Sequence, residues 1–227
     1  GTCRLMVRVK VKICCMADPG EAAMAAAAGA EYIGLVGPMP SGPGTLTLED
    51  AAEIARSAPP SATPVLLSSA TTALDLVREA EAAGAGVIQI VQHVSPGIHA
   101  ELVAQAPGLE CWQVIHVEDR TAVDLIRSFD EQPDAFLLDS GRPARGELGG
   151  TGRVHDWAIS RDCVAATARP VFLAGGLTPE NVGEAIRQVR PQGVDLCTGV
   201  RLDGRLNAVR LATFMQIVSD AGGGTGT

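Results

Sequence analysis

Residues 135 to 157 read AFLLDSGRPARGELGGTGRVHDW. An apolar run ends on a carboxylate at Leu138-Asp139, Gly149, Gly150, Thr151 and Gly152 follow, and Asp156 and Trp157 open a helical stretch. Glycines ahead of a helix let backbone N–H groups come close to an anion, and the helix start carries the positive end of the peptide dipoles. Phosphate is the expected guest. Two later turns have the same character: Ala174-Gly175-Gly176 ahead of a helix expected to open at Pro179, and Thr198-Gly199 after an apolar strand. Three such turns imply one shared anion site.

Outward from this stretch, short apolar runs alternate with Ala- and Glu-rich segments. Strands are predicted at 7–14, 32–36, 64–67, 86–91, 111–116, 135–139, 170–174 and 193–197. Helices are predicted at 19–28, 47–57, 73–83, 98–106, 119–129, 156–168, 179–189 and 207–219. Asp18-Pro19, Ser95-Pro96 and Thr178-Pro179 each set a capping side chain before a proline at the first helical position. A strand-helix unit of about 28 residues, repeated eight times, predicts an α/β fold of the (β/α)8 TIM-barrel class, with its site at the strand C-termini. A doubly wound sheet is the alternative, but it usually offers one main Gly-rich switch-point turn, whereas here three late turns suit phosphate. The barrel is expected to be a single domain over residues 6–220, followed by a flexible Gly/Thr tail at 221–227, and both ends read as dispensable.

With 46% hydrophobic and only 3% aromatic residues, the core must be built from Ala, Val, Leu and Ile, as in a sheet covered by helices. A net charge of −8 and the lack of a basic face argue against nucleic acid as a partner. No apolar run reaches the roughly 18 residues of a membrane span, and no leader pattern opens the chain, so a cytoplasmic protein without a membrane partner is expected. Six cysteines, at 3, 14, 15, 111, 163 and 197, lack metal-ligand spacing and disulfide-scaffold density, so reduced thiols are expected.

On the barrel reading the strand ends present Cys14, Cys15, Ser68, Ser69, Gln89, Gln92, His93, His116, Asp119 and Asp139. A cysteine and an aspartate across a barrel mouth suit paired base and acid chemistry. A thiol titrates near 8.5, and a neighbouring cation or helix start lowers that toward a thiolate able to take a proton from carbon. Asp139 must be partly desolvated to act as an acid at neutral pH. Each has a plainer role open to it: Cys14 as a small core residue, Asp139 as a helix cap or ion-pair partner, Gln89 as a core hydrogen-bonding group. Lone histidines such as His93 and His116 fill many local roles, and nothing is built on them. No Walker lysine and no dinucleotide fingerprint is present.

The segments VKIC ending at Cys14, LLD ending at Asp139, GGTG at 149–152 with Asp156 and Trp157, LAGGLTPENV at 173–182 and VRPQGVDLCTGV at 189–200 together resemble the phosphoribosylanthranilate isomerase family, over nearly the whole chain. The resemblance implies an Amadori rearrangement of an N-(5-phosphoribosyl)arylamine to a 1-deoxyribulose-5-phosphate amine, of tryptophan-biosynthesis type, with no cofactor and no metal. It implies Asp139 as general acid on the ribose ring oxygen and Cys14 as general base at C2′. It also implies a 5′-phosphate held by Gly150, Thr151, Gly152, Gly175, Gly176, Thr198 and Gly199, with Gln89 near the sugar. The partner implied is a small phosphorylated sugar amine, and the chain is expected to be a monomer or homodimer.

The departures from that pattern cluster on the arylamine side. After strand 2 the family's arginine-bearing segment reads Met39 to Thr45 with no arginine, and the segment after strand 4 reads Gln89-Ile90-Val91-Gln92, with His93 displaced. His155 stands where an aromatic residue is common, Arg153 where lysine is, and Arg201 where glutamate follows the last glycine turn. Arg153 or Arg201 is therefore a candidate replacement for the missing carboxylate clamp. Two alternatives stay open: the same isomerisation on another N-phosphoribosyl amine, and a non-catalytic barrel that binds sugar phosphates.

Overall fold

Short strands that are apolar on both faces must be covered on both faces, and a closed sheet wrapped in helices does this with no strand left at an edge. The computed structural model describes residues 8–40, 42–141 and 155–223. It shows eight parallel strands in chain order: β1 (Lys10–Ile13), β2 (Tyr32–Val36), β3 (Thr63–Ser68), β4 (Val87–Ile90), β5 (Glu110–His116), β6 (Ala135–Asp139), β7 (Val171–Leu173) and β8 (Gly193–Leu196). β8 pairs back onto β1, with Ile13 opposite Leu196, and closes the barrel. The helices are α1 (Pro19–Ala27), α2 (Leu48–Ser57), α3 (Ala73–Ala83), α4 (Gly97–Gln105), α5 (Thr121–Ser128), α6 (Trp157–Ala165), α7 (Val182–Val189) and α8 (Ala208–Gly222). A hairpin of β9 (Arg201–Leu202) and β10 (Arg205–Leu206) lies between β8 and α8. The expected (β/α)8 barrel is the fold observed. No helix among the described residues is long and apolar enough to cross a membrane.

Several element ends differ from the sequence reading: β1 runs over 10–13 rather than 7–14, for example, and α6 over 157–165 rather than 156–168. Asp18 caps α1 as expected, its Oδ1 accepting from the Glu21 N–H at 2.9 Å. α7, however, starts at Val182 rather than Pro179, because the Asn181 side chain turns back to accept from the Thr178 N–H and to donate to the Gly176 carbonyl, both at 2.9 Å. α4 has no side-chain cap from Ser95. α8 continues to Gly222, into the stretch expected to be tail.

Side-chain alternation splits each strand into two faces. Outward residues such as Ile13, Ile33, Leu35, Leu66, Phe136 and Leu138 pack beneath the helices. The inward set fills the barrel. Its floor is aromatic: Trp112 stacks on Phe172 at 4.5 Å between centroids, and Tyr32 meets both edge-on at 4.9 and 5.6 Å. Gly193 makes room for this plug, since a Cβ there would run into the Phe172 ring. Above the floor, Lys12 and Asp195 form an ion pair at 3.0 Å, with side chains 0% and 8% exposed.

Candidate active site

Filling the lower barrel leaves its upper end as an open cleft of about 740 Å³ ringed by strand ends and the loops that follow them. Cys14 reaches it from just past β1, with its thiol lying over Gly34 of β2, where a Cβ would stand 2.5 Å from Sγ. Asp139, at the end of β6, lines the same cleft and is half-buried, its Oδ1 accepting from the Ser140 N–H at 2.7 Å. Gln89 lines the cleft from the inner face of β4, 2% exposed, and its buried Oε1 has no hydrogen-bond partner among the described residues. A buried acceptor left open in this way costs free energy unless a guest supplies the donor.

After β7, Gly175 (φ 83°) and Gly176 (φ 64°) adopt the left-handed conformation and line the cleft. Successive N–H groups in such a turn form an anion-binding concavity. A side chain at Gly175 would press on His155 Nδ1 and Ser140 Oγ, at 3.0 and 3.1 Å. His155 hydrogen-bonds Ser160 Oγ through Nε2 at 2.6 Å, its Nδ1 has no partner among the described residues, and burial holds its pKa below the usual value. Thr198 opens a single 3-10 turn, Thr198–Val200, and also lines the cleft. Gly199 lies behind it, and a Cβ there would collide with the Leu177 carbonyl oxygen. Gly150, Thr151, Gly152 and Arg153 fall outside the described residues.

The remaining candidates lie elsewhere. Arg201 does not line the cleft: its guanidinium pairs with Glu21 at 2.9 Å and donates to the carbonyls of Cys15 (2.5 Å), Cys14 (3.4 Å) and Gly204 (3.1 Å). Ser68 turns away toward Glu79, His116 bonds the Val91 carbonyl at 2.8 Å, and Asp119 accepts from the N–H of Thr121 in the first turn of α5. His93 is exposed. The cleft wall after β2 is Met39, Gly42 and Pro43, and no arginine or lysine lines the cleft among the described residues.

Two features escaped the sequence reading. The first is the Lys12–Asp195 pair: burial opposes the Lys12 charge, but the Asp195 carboxylate outweighs it and holds the ammonium above its ordinary pKa. Cys14 follows Lys12 by two residues on the same face, and Lys12 is attracted to charge there too. The second is Cys15, whose backbone is left-handed (φ 64°) and whose thiol faces the cleft instead of the helices.

Comparison with known proteins fits this geometry. Residues 11–217 match the family described as N-(5′-phosphoribosyl)anthranilate (PRA) isomerase. A Haloferax volcanii protein named N-(5′-phosphoribosyl)anthranilate isomerase is 40% identical over 201 residues, covering 86% of each chain. The phosphoribosyl anthranilate isomerase of Thermus thermophilus superposes with a TM-score of 0.78 at 26% identity, covering 93% of this chain and 99% of its own. An isomerase solved with reduced 1-(o-carboxyphenylamino)-1-deoxyribulose 5-phosphate shares the fold, with a TM-score of 0.74 at 22% identity over 92% of this chain and 98% of its own.

Proposed function

The chain belongs to the N-(5′-phosphoribosyl)anthranilate isomerase family, and from that premise we propose that it converts N-(5-phosphoribosyl)anthranilate to 1-(2-carboxyphenylamino)-1-deoxyribulose 5-phosphate, with Asp139 as general acid and Cys14 as general base. The observation that carries this reading is that Cys14 and Asp139 share one cleft, three strands apart around the barrel, with the Gly175-Gly176 turn and Thr198 between them. Asp139 gives its proton to the ribose ring oxygen as the C1′–O bond breaks, and the amine nitrogen becomes a protonated Schiff base. Cys14, as thiolate, takes the C2′ proton. The electron pair of that bond neutralises the iminium, and the resulting enolamine tautomerises to the ketone. The substrate's own nitrogen is the electron sink, so one acid and one base suffice. Gly175, Gly176, Thr198 and Gly199, with Gly150, Thr151 and Gly152, receive the 5′-phosphate, and Gln89 Oε1 takes a sugar hydroxyl.

A second reading is favoured by one observation: the uncharged wall of Met39, Gly42 and Pro43 where an anthranilate carboxylate would be held. On it, the same isomerisation acts on an N-phosphoribosyl amine without that carboxylate. Steady-state turnover of freshly made N-(5-phosphoribosyl)anthranilate, beside the N-phosphoribosyl adduct of aniline, separates the two readings. Faster turnover of the anthranilate adduct, abolished in Cys14→Ala and Asp139→Asn, supports the first, and preference for the aniline adduct supports the second. Turnover undiminished in Cys14→Ala would rule out this base.

A further inference from the structure

The end of β1 and the end of β8 bring three thiols together at the cleft wall. The ladder that sets Ile13 opposite Leu196 continues with the Cys14 N–H donating to the Leu196 carbonyl at 2.9 Å, so Cys14 and Cys197 are neighbours across the seam. Cys15 would point outward in a regular strand, but its left-handed backbone turns its thiol inward, onto the cleft wall that Cys14 and Cys197 share. Gly44 packs against it from the β2 loop. All three residues line the cleft, and Cys197 is partly exposed. The Arg201 guanidinium, fixed by Glu21 and the two cysteine carbonyls, also reaches the Cys197 thiol.

We propose that Cys15 and Cys197 form a reactive dithiol site in the cleft wall, distinct from the Cys14/Asp139 pair, which a hydroperoxide converts to a Cys15–Cys197 disulfide. The two thiols have divided roles. Hydrogen bonding from Cys15, and then the Arg201 charge, lowers the Cys197 pKa and favours its thiolate as the attacking sulfur; hydrogen bonds to Cys14 and Cys197 raise that of Cys15, which favours its protonated form. The Cys197 sulfur attacks the peroxide: an S–O bond forms, the O–O bond breaks, and the leaving alkoxide or hydroxide takes the proton of Cys15. The Cys15 thiolate then attacks the Cys197 sulfur, the S–S bond forms, the S–O bond breaks, and the departing hydroxide is protonated to water. Two thiols lose two electrons and one hydroperoxide gains them. Cys111 and Cys163 are set apart from this chemistry, because burial raises their pKa, for Cys163 to about 11.

The test is peptide mapping of the full chain after brief exposure to stoichiometric hydrogen peroxide and quenching with N-ethylmaleimide. A peptide pair joined through Cys15 and Cys197, released by dithiothreitol, is expected, with Cys111 and Cys163 still alkylated. Cys15→Ser should stop at a dimedone-trappable sulfenic acid on Cys197, and Arg201→Met should slow oxidation of Cys197 by about tenfold, with folding checked by circular dichroism. A disulfide from Cys14 instead, or Cys197 oxidised no faster than Cys163, would overturn the proposal. Mass is the readout, so a chain that fails to turn over phosphoribosylanthranilate can still pass, and an active one can still fail.

Discussion

The floor and the mouth of this barrel are built from the same alternating strand positions, yet they hold opposite materials. The floor packs Tyr32, Trp112 and Phe172, three of the chain's seven aromatics, over a glycine that yields them space. The mouth holds Cys14, Gln89, Asp139 and glycine turns around open volume. A residue's height along the strand therefore decides whether its loss is felt in folding or in chemistry.

Four experiments break or sharpen that contrast. The largest effect belongs to the mouth: Cys14→Ala or Asp139→Asn should lower kcat by about 10²- to 10⁴-fold while moving the denaturant midpoint little. A matching loss of stability would erase the distinction. Next is the floor, where Phe172→Ala should cost about 3–5 kcal/mol in chemical unfolding yet leave KM near its original value. Third comes a residue that ties the two ends of the seam together. Arg201→Met leaves the buried Glu21 carboxylate only the longer Arg205 contact at 3.6 Å, at a cost of about 3 kcal/mol, and also frees the Cys14 and Cys15 carbonyls, so stability and kcat should fall together. The smallest effect is its pH dependence. Burial alone would raise the Glu21 pKa, but Arg201 and two backbone N–H groups bring it below the ordinary value. A depressed folded-state pKa stabilises above the unfolded value of about 4.3 and loses that contribution as pH falls through the folded one. The stability gap between wild type and Arg201→Met should therefore narrow as unfolding is measured from pH 7 down toward 3.5.

Much of this architecture is legible in the sequence. β2 and β6 begin and end where the apolar runs do, and Asp139 stands at a strand end because a carboxylate closes the run. What stayed hidden was set by side chains distant in sequence or by single dihedrals. Lys12 and Asp195 are 183 residues apart, and only barrel closure makes them a pair. Arg201 has the charge a ligand clamp needs, but Glu21, another long-range partner, occupies it. Strand alternation allows just one of Cys14 and Cys15 to face inward, and one positive φ overrides it. At α7, the Thr178-Pro179 signal was sound chemistry, but Asn181 used its amide to close the turn first.

Gly199 carries a consequence in time rather than in space. Its α-carbon lies so close to the Leu177 carbonyl that the loops after β7 and β8 touch backbone to backbone, with no side chain between them to act as a cushion. Two loops in such contact are expected to fluctuate as one body. If an anion binds the Gly175-Gly176 turn, its amides and that of Thr198 should slow together in hydrogen exchange instead of one after the other.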